Sequence, residues 1–201
     1  MNRAFARPRV AAVAGVVTIS LFPQAAWAHH TAGSEAASFL TGLGHPLTGL
    51  DHVLAMLAVG LWAAQLGGRA VWLLPSTFVA VMLGGAALGI GGVRLGFVES
   101  MIIASVPVLG LAIAIAARLP AYAAAFVAGG FALFHGHAHG TELTGVTAAL
   151  TYVAGLSASS AALLAAGAAS TLALRSGASS RAVRVAGTAI ALGGACVWLT
   201  R

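Results

Sequence analysis

The sequence predicts an all-α membrane protein: a bundle of about six transmembrane helices forming one domain over 29–201, behind a cleavable signal peptide at 1–28. Three observations carry that expectation. Apolar residues fill 60% of the 201 positions and charged residues only 7%, where a soluble domain has roughly a quarter charged. The mean hydropathy is +0.97. The few charges mostly punctuate apolar runs of membrane-spanning length.

Taken in order, the first element is a processing segment. Arg3, Arg7 and Arg9 form a positive leader, 10–22 is apolar but short for a membrane crossing, and Ala26-Trp27-Ala28 is an A-x-A cleavage pattern. Cleavage starts the mature chain at His29-His30, on the far side of the membrane. Six apolar runs follow after a short polar stretch, at 46–66, 70–91, 96–117, 121–139, 143–174 and 181–199. The fifth is longer than a straight crossing needs, so it is expected to tilt or to break near 155–160. The small residues at Gly85, Ala86, Ala87 and Gly89 suit close helix packing.

Charge sets the orientation. With the mature N-terminus outside, the inner loops hold Arg69, Arg118, Arg175, Arg181 and Arg184, and the outer side keeps Arg94 and Arg201. That asymmetry obeys the positive-inside rule and agrees with the signal peptide. The net charge of +6 does not indicate nucleic acid, because all ten basic residues are scattered arginines rather than a patch. Cys196 stands alone and forms no internal disulfide. No G-x-x-x-x-G-K-[ST] segment is present, which argues against ATP-driven work by this chain alone.

Against this background, two short segments are unusually polar. His45, Asp51 and His52 open the first run, and His135, His137, His139 and Glu142 close the fourth. They hold five of the seven histidines and two of the four carboxylates. Both lie toward the outer face, and ionisable groups at membrane depth usually face a bundle interior or a cavity. His135 and His139 are i,i+4 with Glu142 three residues on, so the three share a helix face while His137 points nearly opposite. Pro46 suits a first helical position, leaving His45 at the cap. A helix regular from there would put His45 and His52 near one stripe.

Imidazole and carboxylate from two helices form a ligand set for Ni, Co, Zn, Mn or Fe(II). Asp51, His52, His135 and His139 lead that set. His45 and Glu142 either join it or cap their helices. Met56, one turn below His52, reads as packing, and Glu99 as a solvated or salt-bridged helix end. His29 and His30 either collect metal at the entrance or form an ordinary terminus.

The blocks HPLTGLDHVLAMLAVGLWA at 45–63 and FHGHAHGTE at 134–142 resemble the signatures of the HupE/UreJ family of nickel transporters and hydrogenase or urease accessory proteins. The layout of signal peptide, His-rich start and about six helices resembles it over the whole mature chain. The resemblance implies nickel uptake, or cobalt uptake, across a bacterial inner membrane. It implies transport-critical roles for His45, Asp51, His52, His135, His139 and Glu142. No permanently bound cofactor is expected, since the divalent ion is cargo. The expected partners are that ion, the lipid bilayer and hydrogenase or urease maturation machinery, with a homo-oligomer left open. Three rivals remain: a membrane metallohydrolase using Asp51 or Glu142 as base, a bis-His haem protein, and a metal-binding accessory protein without transport. The hydrolase lacks an H-E-x-x-H helix.

Overall fold

The computed structural model describes residues 35–143, 146–173 and 179–200. The expected signal peptide, His29, His30, Arg175 and Arg201 lie outside the described residues. Seven α-helices and no strand occur among those described: α1 Glu35–Gly44, α2 Leu50–Leu66, α3 Ala70–Ile90, α4 Val98–Ala114, α5 Ala121–Thr141, α6 Val146–Ala173 and α7 Ser179–Thr200. A 3₁₀ turn, His45–Leu47, joins α1 to α2.

This entry differs from the regular helix expected at 46. The stretch 35–44, expected as polar lead-in, is helical, and the α-helix of the first run starts only at Leu50. The two arms meet at 78°. Pro46 lacks a backbone N–H to continue α1. Thr48 then closes the turn, its N–H and its hydroxyl both donating to the His45 carbonyl at 3.0 and 2.7 Å. Gly49 is extended and restarts the chain as the N-cap of α2.

Among the described residues, three helices are long and apolar enough to cross a membrane: Ala70–Ile90, Ala149–Ala173 and Ser180–Leu199. The bent pair Ser38–Leu47 and Leu50–Leu66 makes a fourth if it is one span. α4, with 17 residues, is shorter, and α5 carries three histidines in its last two turns. The fifth run is not broken near 155–160. α6 continues through it for 28 residues, with Ser157 and Ser160 donating back to the Val153 and Leu156 carbonyls. Its length of about 42 Å exceeds a hydrocarbon core of about 30 Å, so tilt is what remains of that expectation.

The helices pair through small residues. α3 packs along α5, where Gly136 and Gly140 lie against the Met82 and Ala86 carbonyls and Gly85 and Gly89 against those of Leu133 and His137. α2 packs on α6 in the same way, with Gly60 against Leu164 and Gly167 against Leu57. Lipid offers helices no hydrophobic drive to associate, so backbone contact through Gly supplies the van der Waals attraction instead. At the end of α4 the last carbonyls have no helical N–H. Gln65 and Arg184 donate to those of Ile113 and Ala114 at 3.1 and 2.8 Å, and Trp62 to that of Ala117 at 3.3 Å. These bonds tie α2 and α7 to α4.

Candidate metal site

The bend before α2 and the last turns of α5 form the site. Because Pro46 and Gly49 break the helix, His45 sits in the 3₁₀ turn and Asp51 and His52 in the first turn of α2. The small residues of α5 seat it on α3, and His135 and His139 are turned toward α2. His52 has its ring centroid 4.8 Å from that of His135 and 4.6 Å from that of His139. His45 lies 4.8 Å from His139, edge to face. Two segments about 90 positions apart in the chain thus meet ring to ring.

Each side chain has a distinct setting. His45 Nε2 lies 3.2 Å from Glu142 Oε2, with both groups partly exposed. Glu142 is also the residue after α5, so it caps the helix and joins the cluster at once. The hydrogen bond from His45 holds the Glu142 carboxyl below its usual pKa range, partial burial opposing it. Asp51 Oδ1 accepts from the His52 backbone N–H and from Nδ1 of the His52 ring, both at 2.9 Å. His135 and His139 are 0% and 1% exposed. His135 Nε2 lies 3.1 Å from the Ser105 hydroxyl on α4. His52 Nε2, His135 Nδ1 and both nitrogens of His139 are buried without a hydrogen-bond partner. Four lone buried imidazole nitrogens in one cluster are costly to desolvate unless something coordinates them.

A cavity of about 210 Å³ opens beside them, lined by His45, Asp51, His52, Glu99, His139 and Glu142 among others. One nitrogen each of His45 and His139 and one oxygen of Glu142 lie within 4.8 Å of one another, a spacing that a divalent ion could draw together. His137 faces away, as its helical position requires, and donates from Nε2 to the Val93 carbonyl at 2.6 Å. Met56 is fully buried in the core, consistent with packing.

Three participants escaped the reading of the sequence. Ser105, fully buried, reaches His135, Tyr152 lies 5.7 Å from the His45 ring, and Glu99 lines the cavity. Only Glu99 left a trace, as a carboxylate at the outer end of its run. A serine and a tyrosine in apolar helices carry no pattern that sets them apart.

The family described as HupE / UreJ protein matches residues 17–197. Protein HupE of Rhizobium leguminosarum bv. viciae is 49% identical over 171 residues, which cover 85% of this chain and 89% of that protein. No solved structure matches. The family comprises transport and accessory proteins rather than enzymes, which removes the hydrolase reading. With both signature blocks in place and a match over nearly its full length, the chain belongs to the HupE/UreJ family.

Proposed function

We propose that this protein is a permease for a divalent transition metal, nickel or cobalt, in a bacterial inner membrane, supplying hydrogenase or urease maturation. One observation carries the reading: His45, Asp51, His52, His139 and Glu142 line one cavity, with His135 packed ring to ring on His52, in a chain otherwise almost free of charge. Such a set strips part of an ion's hydration and replaces it with nitrogen and oxygen donors, and release demands that the binding stay moderate. Phe78, fully buried, lies 6.0 Å from His135 and closes the cluster against the core, so passage requires a second conformation. The proposed topology removes 1–28 and places the mature N-terminus in the periplasm. α2 with its bent entry, α3, α4, α5, α6 and α7 then make six crossings.

Accumulation of nickel and cobalt in cells with and without the protein tests the reading. The expected result is a gain that His52→Ala abolishes at unchanged membrane abundance. Wild-type cells accumulating no more of either ion than cells lacking the protein would end the permease proposal.

A further inference from the structure

Six side chains around one ion would have to bring their donor atoms within about 4.2 Å of one another, since bonds to a divalent ion are about 2.1 Å long. Among the described residues, only those of His45, His139 and Glu142 come close, within 4.8 Å. The deeper histidines touch ring to ring but do not gather round a common point. Their hydrogen bonds nonetheless define which atoms they offer.

A carboxylate only accepts, so the 2.9 Å contact with Asp51 places the His52 proton on Nδ1 and the lone pair on Nε2. Ser105 has one hydroxyl proton, and it is spent on the Ile102 carbonyl at 2.6 Å. Its oxygen therefore accepts from His135 Nε2–H at 3.1 Å, which leaves the His135 lone pair on Nδ1. The two nitrogens freed in this way, His52 Nε2 and His135 Nδ1, are both buried and without a partner. Between the two groups stands His139, neither nitrogen bonded, 4.8 Å from His45 on one side and 4.6 Å from His52 on the other. A neutral imidazole has one lone pair. It can serve either group, but not both together.

We infer that the cluster is two metal stations sharing His139: an outer one of His45, Glu142 and His139, already close to ligating distance, and an inner one of His52, His135 and His139, which closes on an ion only in a second conformation. Asp51 and Ser105 are positioning residues that fix the inner imidazoles in the ligating tautomer, as partners of metal-bound histidines commonly do. One ion occupies the pair at a time, captured outside and handed inward as His139 changes sides. The division deepens the permease reading and rests on it for its direction, but not for its binding sites.

Co²⁺ is the probe, because its visible absorption reports its ligands. The purified full chain in detergent micelles is expected to bind one Co²⁺. Two bound at once would overturn the sharing of His139, whatever any variant does. His45→Ala, Glu142→Gln and His139→Ala are expected to raise the Kd about tenfold or more, roughly the loss of one interaction of 1.4 kcal/mol. Asp51→Asn and Ser105→Ala should leave the Kd within about threefold yet lower the maximal rate of uptake, with Ser105→Thr restoring it. Equal loss of Co²⁺ affinity across all five variants would mean a single shell and overturn the division, as would unchanged affinity in His139→Ala. If affinities divide as expected but wild-type cells take up no metal, the stations stand and the permease reading falls.

Discussion

Asp51 and His52 are neighbours, and their hydrogen bond at 2.9 Å makes them one unit. His52→Ala removes a donor, and Asp51→Asn removes the charge that holds the ring. Both are expected to reduce nickel or cobalt accumulation to near background at normal membrane abundance, measured in whole cells. Met56→Leu, one turn along and fully buried, conserves volume. It should cost less than about 1.5 kcal/mol and transport nearly normally. Acidity acts on the same residues. Glu142 is held ionised below the usual carboxylate range by His45, so its charge persists as pH falls toward 5. Protons compete with a metal for an imidazole lone pair, so equilibrium Co²⁺ binding should weaken as pH falls, measured by titrating the purified protein at successively lower pH.

At the scale of elements, the glycines of α5 are what seat the histidines. Gly136 and Gly140 rest on the Met82 and Ala86 carbonyls of α3, and a methyl group at either would collide with backbone that cannot rotate away. Gly136→Ala is expected to destabilise by about 1–3 kcal/mol, the usual cost of overpacking. It should also displace His135 and His139 with the helix. Gly84→Ala, where nothing lies within 4 Å, should be silent. Thermal unfolding of the two purified variants in detergent makes the comparison. The bend between α1 and α2 matters equally, because it brings His45 over His139 where a straight helix would carry it away.

On the proposed topology, five arginines fall on the inner side and two on the outer, with the metal cluster outside. Reporter fusions should find the 176–180 segment cytoplasmic and a fusion after Arg201 periplasmic. A cytoplasmic C-terminus would mean a miscounted helix or a retained signal segment. α4 and α7 pack together, and Arg184 donates to the Ala114 carbonyl at the end expected to face the cytoplasm. On the proposed topology that arginine belongs to the inner set, and it caps a helix as well.

Much of this was legible in the residues alone. Composition called for a helical membrane protein because few charges survive in lipid, and the description is all-helical with at least three helices fit to span. The i,i+4 spacing of His135 and His139 put them on one face and His137 on the other, since helical periodicity is local. Other features needed the third dimension. Pro46 and Gly49 announce an irregularity, but the 78° bend is the sum of turn geometry and the packing of α1 on α6. The continuity of α6 past 155–160 was equally hidden, because serines there bond back to their own helix. Ser105 and Glu99 enter the site only through the approach of α4, which no pattern in either segment encodes. Sequence determined which chemistry would be present and on which helix faces, because hydropathy and periodicity act over a few residues. Tertiary structure alone decided which nitrogens lie free and which are held, because a hydrogen bond between helices depends on contacts whose partners lie tens of residues away.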